Sequence, residues 1–285
     1  MTSEVMAPGR IAPYRWLMPD TDTAPAVGPL LRHWRATRRL SQLDLALGAD
    51  VSSRHLSYVE TGRSKPSRDM VLRLAEALEV PLRERNALLA AAGFAPAFFE
   101  TSLESPAMEA FRSAIDLILA HQEPYPAFVL DRHWEIRRTN TAAERCTRFL
   151  LGKEPAESNM LRLVLGPGGL GSVLMSWEET AGDLVRHLHA QVAAAPTDAR
   201  ARALLDEVLG YPGIPAGWRT RDIGAPVAPL LTTVFRKDGI TLSLFSAITT
   251  FGSPHDVTLD ELRIECSFPA DPETDRVCRE KFGRA

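Results

Sequence analysis

The chain of 285 residues carries 33 Lys and Arg against 36 Asp and Glu, a formal net charge of −3, and 45% of its residues are hydrophobic. That balance excludes a polycationic coat for nucleic acid and a highly charged disordered chain, and the length suits about two folded domains. No run of about 18 apolar residues and no apolar secretion core occurs, and the cysteines Cys146, Cys266 and Cys278 are scattered and odd in number. A cytoplasmic protein with idle thiols, no disulfide framework, no metal and no membrane association is expected.

Met1 to Ala26 holds Pro8, Pro13, Pro19 and Pro25 without sustained periodicity and reads as a flexible tail in which Tyr14 and Trp16 are the residues able to dock. Residues 27–95 then read as a compact all-α head of five helices, Val27 to Arg38, Gln42 to Leu47, Ser53 to Glu60, Asp69 to Leu78 and Arg83 to Ala92. Ser41 followed by Asp44 is a capping-box-like start for the second helix. Gly48, Ala49 and Asp50 supply a bend, Ser52 is a plausible N-cap for the third helix, and Gly62 stops it. At 100° per residue, Leu56 and Val59 share one face, and Ser53, Arg54, Ser57 and Tyr58 lie opposite. An apolar inner face and a polar outer face after a tight bend is the layout of a helix-turn-helix, which carries side chains into the DNA major groove, and Ser52, Ser53, Arg54, Ser57 and Tyr58 are the candidate DNA contacts.

Charge distribution agrees. Val27 to Ala95 holds eleven Lys and Arg against seven Asp and Glu, whereas from Pro96 onward the counts are 20 against 26. A cationic head on an acidic body docks on phosphates by one end. Arg63, Lys65 and Arg68, just past the third helix, are candidate phosphate contacts, with a solvated charged loop as the plainer alternative.

Residues 96–106, with Pro96 and the polar run Glu100 to Pro106, read as a linker, and residues 107–120 as a helix closed by Pro124 and Pro126. Beyond it the pattern turns α+β. Short strand-like runs at Ala127 to Leu130 and Glu135 to Thr139 are followed by helices at Ala142 to Leu151, Trp177 to Ala195 and Ala199 to Leu209. Strands are then expected at Leu230 to Arg236, Ile240 to Thr250 and Leu262 to Phe268, the first two joined by an Asp238-Gly239 hairpin turn. This order predicts an antiparallel sheet with helices on one face, a PAS-like domain, followed by a tail over residues 271–285. Phe128, Trp134, Trp177, Leu184, Leu188, Phe235, Phe245 and Phe251 are large residues on elements facing the sheet–helix interface, candidates to line a ligand pocket or simply core.

Two resemblances extend this reading. Leu30 to Leu89, with LRHWRATRRLSQLDLA, VSSRHLSYVETGRSKPS and MVLRLAEALEV, resembles the phage-repressor-type (XRE) helix-turn-helix domain. The resemblance implies that Gln42 contacts phosphate, that Ser53, Arg54 and Tyr58 read bases, and that Glu60 and Arg35 form an internal ion pair. Asp50 departs from it, standing where relatives usually carry Gly at the bend. Residues 107–270, with PYPAFVLDRHWEIRRTNTAA, LRLVLGPGGL and FSAITTFGSPHDVTLDELRIECSFPAD, resemble the ligand-binding domain of MmyB-like transcription regulators. That resemblance implies a PAS-like fold and a pocket for a small apolar ligand such as a fatty acid, whose carboxylate Arg137, Arg138, His187 and Arg219 are unranked candidates to hold.

Other patterns are discounted. Gly166, Gly168 and Gly171 spell GxGxxG after Leu161 to Leu165, but Pro167 sits in the turn and no acidic residue ends a second strand about 20 residues on. His187 and His189 point about 200° apart on a helix and do not ligate one metal. No paired carboxylates or nucleophile elbow suggests a catalytic residue, no cofactor is implied, and an enzyme is not favoured. The sequence therefore predicts a regulator that binds operator DNA as a homodimer and senses an apolar ligand. An antitoxin or other protein-interaction module with an autoregulatory head is the alternative.

Overall fold

The computed structural model describes residues 26–195, 197–220, 230–252 and 254–283. Apart from Ala26, the expected N-terminal tail, with Tyr14 and Trp16, lies outside them. The chain divides into two compact units. One comprises the described residues up to Leu78 together with Leu88–Ala95, and the other Glu79–Ala87 and the chain from Pro96 onward.

The first unit is built from α1 (Val27–Thr37), α2 (Gln42–Gly48), α3 (Ser53–Glu60), α4 (Arg68–Ala77) and the C-terminal part of α5 (Leu82–Ala91). Its local signals act where the sequence places them. Ser41 and Asp44 form a complete capping box at α2, and the Ser52 hydroxyl accepts the His55 amide at 3.1 Å at the start of α3. Asp50 adopts the left-handed conformation at φ +50, the geometry that glycine would take without steric cost. Leu31, Leu45, Leu56, Val59, Leu74 and Leu89 close the core. Gly28 lets α1 approach the end of α3, since a Cβ there would meet the carbonyl oxygens of Val59 and Glu60 at 2.6 and 2.7 Å.

Glu60 holds these helices in register. Its side chain has no exposure, and its carboxylate accepts both Nε and Nη2 of Arg35, at 2.7 and 2.9 Å, and Nε2 of Gln42 at 2.8 Å. One buried acid thereby links α1, α2 and α3, with the ion pair that the resemblance implied. Burial pushes the Glu60 carboxyl upward, but the hydrogen bonds from Arg35 and Gln42 and the charges of Arg35 and Arg32 outweigh it, and the net pKa is depressed.

The second unit is an antiparallel five-stranded sheet in the order β2-β1-β5-β4-β3, formed by β1 (Ala127–Leu130), β2 (Ile136–Thr139), β3 (Thr232–Lys237), β4 (Ile240–Thr249) and β5 (Arg263–Pro269). The expected hairpin is present, with Asp238 and Gly239 both at positive φ between β3 and β4. The expected α+β, PAS-like architecture is thus the observed one.

Helices cover both faces of the sheet, where coverage of one face was expected. On one side α6 (Glu109–Gln122) and α11 (Val257–Glu261) pack against Ala127, Val129, Ile264 and Cys266. On the other, α7 (Thr141–Leu151), α8 (Met160–Leu165), α9 (Trp177–Ala194) and α10 (Ala199–Val208) share a core with Leu130, Phe235, Leu242 and Leu244.

Three further differences have physical causes. Residues 161–165, expected only as an apolar run, form α8, capped by Asn159 accepting the amides of Leu161 and Arg162. Residues 96–106, expected as a linker, are tied into the second unit: the Thr101 amide donates to the Asp256 carboxylate at 3.1 Å and the Val257 amide to the Phe99 carbonyl at 2.8 Å. Residues from Asp271 onward, expected as a tail, form α12 (Pro272–Val277) and a π-turn at Cys278–Phe282. Phe282 is 1% exposed, its ring centre 5.9 Å from that of Phe149, so this segment is part of the core.

Removing the partner of a buried charge leaves that charge uncompensated. Arg35→Met is expected to lower the unfolding free energy of the first unit by about 3 kcal/mol at neutral pH. Because the folded pKa of Glu60 is depressed, the pair's contribution is present above the ordinary glutamate range, about 4.3, and is lost as pH falls through the lower folded value. Urea unfolding of both proteins should therefore show the gap narrowing in acid; a gap that widens would contradict the pairing.

Candidate nucleic-acid interface and ligand cavity

On α3 the buried residues are Leu56, Val59 and Glu60, and the opposite flank faces outward. Ser53 and Arg54 are exposed, Ser57 and Tyr58 half-buried. Arg54 Nε donates to Tyr58 Oη at 3.1 Å, and its guanidinium carbon lies 5.5 Å from the Tyr58 ring centre. The two side chains, one turn apart, brace each other as a single polar ridge. Arg63, Lys65 and Arg68 follow as an exposed basic stretch, its start fixed by the Arg63 and Ser64 amides donating to the Tyr58 carbonyl at 2.8 and 3.2 Å.

Two expected contacts are engaged internally. Gln42 directs its amide to Glu60, and the Ser52 hydroxyl caps α3. Both position the reading helix. His55, which the sequence reading passed over, is exposed on α3 with its ring 3.4 Å from the Ser64 hydroxyl.

In the second unit a cavity of about 320 Å³ lies between the sheet and α7, α8 and α9. Four expected pocket residues, Phe128, Trp134, Leu184 and Phe235, face it. Thr180, Asp183, Leu184 and His187 form its α9 wall at helical spacing, and Met160, Leu163 and Val164 come from the unforeseen α8.

The other four expected pocket residues do not line it. Leu188 lies fully buried one face away on α9, and Trp177 packs against Gly171 and Gly213. Phe245 has the opposite parity to Leu242 and Leu244 and stacks on Phe268 with ring centres 5.5 Å apart. Phe251 lies beyond the end of β4 and meets Phe111 edge-on. Residues two apart on a strand share a face, and that rule alone would have separated Phe245 from the cavity set.

Among the proposed carboxylate holders only His187 reaches the cavity, where Asp183 Oδ2 lies 3.3 Å from its Nδ1. Arg137 is paired with Asp131, Arg138 with Asp116, and Arg219 donates to the Leu209 carbonyl. His189 is buried with its Nε2 2.8 Å from the Trp218 carbonyl oxygen, turned away from His187. The cation that the sequence reading missed is Arg263 on β5, which lines the cavity.

A larger, more polar groove of about 890 Å³ is lined by Arg83, Arg132, Asp198 and Glu261 among others. Its charges neutralise one another: Arg83 pairs with Glu261 and Glu100 at 2.6 and 2.5 Å, and Arg132 with Glu261 at 2.7 Å and with Asp198. An apolar molecule gains little in such a groove. The cavity behind the sheet is therefore the better ligand site.

The glycine string at 166–171 serves chain reversal. It follows α8 rather than a strand, and a Cβ at Gly166 or Gly169 would collide with the carbonyl oxygens of Arg162 or Leu163.

A helix-turn-helix with a braced polar ridge, on one chain with an α+β domain holding a mainly apolar cavity, is the build of a DNA-binding transcription regulator with a ligand-binding domain. Residues 111–280 match the family model of the MmyB-like transcription regulator ligand binding domain, and residues 26–88 match that of a helix-turn-helix domain. The first match spans more than half of the chain, which belongs to the MmyB-like transcription regulators. No curated protein matches the chain. Among the described residues no helix is long and apolar enough to cross a membrane.

All three cysteines are buried free thiols. Burial pushes the Cys146 and Cys266 thiols up, and it raises Cys278, helped by the nearby Asp275 charge, to about 11. A disulfide reagent at pH 8 is expected to modify less than one thiol per folded chain within minutes and all three in guanidinium; fast labelling of the native protein would refute that packing.

Proposed function

We propose that this regulator recognises its operator through the outer flank of α3, and that its C-terminal domain senses a small apolar molecule such as a fatty acid or acyl derivative. The observation that carries the first half is the Arg54–Tyr58 ridge on a helix whose inner end is fixed by buried Glu60. Ser53, Arg54 and Tyr58 read base edges as in XRE-type heads, with Ser57 on the same flank, while Arg63, Lys65 and Arg68 hold phosphates. Gln42 and Ser52 set the helix in place, and the second N–H of Gln42 Nε2 remains for a phosphate while the first holds Glu60. A homodimer places two such helices in successive major-groove faces about 34 Å apart.

The second half is supported by the cavity, whose volume of about 320 Å³ sits at the lower end of small-molecule sites. An occupant changes operator affinity only to the extent that it binds the competent and incompetent arrangements unequally.

The two classes of DNA contact separate experimentally. Arg54→Ala should reduce discrimination between operator and random DNA by about 1 to 3 kcal/mol. Lys65→Ala should weaken both alike and lower the slope of log affinity against log salt by about one. Titrations at several salt concentrations measure both quantities, and equal losses on specific and random DNA for the two variants would contradict this division of labour.

A further inference from the structure

The cavity of the second unit contains a cation in an unusual condition. Arg263 Nη2 is buried and has no hydrogen-bond partner among the described residues. Its guanidinium carbon lies 3.7 Å from the centre of the Trp134 ring. Burial pushes its pKa down, against the opposing charges of Glu265 and Asp131. Neither of those carboxylates reaches Nη2. Asp131 is occupied by Arg137, whose Nε and Nη2 lie 3.0 and 2.5 Å away, and by the amides of His133 and Glu135.

Trp134 adds an independent sign of a built site. Its φ is +66, a left-handed conformation that a bulky residue adopts at real cost, and its indole N–H is anchored on Gln191 Oε1 at 3.0 Å. The anchored ring supports the flat side of the guanidinium. A buried donor without an acceptor is costly, and Nη2 calls for an acceptor that the protein's own side chains do not supply.

We infer that Arg263 is the anchor for the anionic head of the ligand, and that the cavity takes a carboxylate-bearing amphiphile whose apolar body lies against Phe128, Leu184 and Phe235. The inference rests on the apolar-ligand reading and specifies its head group. The planar guanidinium suits a carboxylate, with which arginine forms short, charge-assisted hydrogen bonds. The cavity's own acids limit where an anion can sit: Asp183 is paired with Arg186 and His187 at 3.1 and 3.3 Å, and Glu265, which shares the wall, opposes any negative charge beyond the single one that Arg263 can hold.

Calorimetric titration of the full chain with decanoate, decan-1-ol and decyltrimethylammonium, all below micelle formation, tests this. Decanoate should bind about tenfold or more tightly than decanol, and the ammonium compound least well. Arg263→Met, which keeps an apolar stem, should weaken decanoate about 10- to 100-fold and leave decanol within about twofold. Arg263→Lys should recover part of the loss, and circular dichroism checks that each variant is folded. Equal affinity of the wild type for decanoate and decanol, or equal loss of both in a folded Arg263→Met, overturns the anchor and leaves the apolar cavity standing. Failure of every probe on the wild type removes the apolar-ligand reading and this inference with it.

Discussion

A strand in the middle of a sheet packed on both faces has no solvent side, and the ligand-binding domain is organised around that constraint. β5 lies between β1 and β4, with α6 against one face of the sheet and α7 to α9 against the other. Its alternating side chains therefore all point into protein. Ile264 and Cys266 meet the apolar surface of α6, while Arg263, Glu265 and Ser267 point into the space under α9. Three polar side chains on a covered face keep helix and sheet from closing on an apolar seam, and Arg263 Nη2 among them keeps a demand for a partner. The cavity is the space left around that demand, and its chemistry is mixed for the same reason.

The DNA-binding unit solves a different problem with one residue. A helix of eight residues is too short to be stable or well aimed by itself, and α3 owes its direction to what holds its two ends. Ser52 closes the first end; at the other, Glu60 collects donors from α1 and α2. A fully buried carboxylate is tolerated there because Arg35 meets it bidentately and Gln42 and the charge of Arg32 add to that pairing. The cost of a mismatch is what makes the arrangement specific, and the reading flank inherits its orientation from an interaction that touches no DNA.

Much of this was legible in the sequence where the determinant is local. Caps at Ser41 and Ser52, the left-handed Asp50, the stop at Gly62 and the Asp238-Gly239 hairpin are each decided by neighbours within four residues. What escaped depends on distant partners. Leu161 to Leu165 is a short, mainly apolar run broken by Arg162 that periodicity does not assign to helix or strand, and only Asn159 marks its start. The charged stretch after Pro272 resembles a tail because Val277, Cys278 and Phe282 have an apolar role only once Phe149 is beside them. Half of the aromatic and aliphatic set assigned to the pocket fell elsewhere, since size shows that a side chain is buried without showing on which side of a sheet. Arg263 was overlooked for a related reason: the alternation from Leu262 to Ser267 looks like a strand with one wet face, and the second covering layer is encoded far away.

The glycine-rich turn after α8 carries a broader lesson about spelling and meaning. Gly166 and Gly169 each bring an electron-rich group within touching distance of the main chain, while Gly168 between them serves its own positive φ. In a dinucleotide fold the visitor is a pyrophosphate; in this protein it is the polypeptide's own preceding helical turn. The letters encode proximity and are silent about the identity of the neighbour, so such a string acquires a chemical sense only from the element that leads into it.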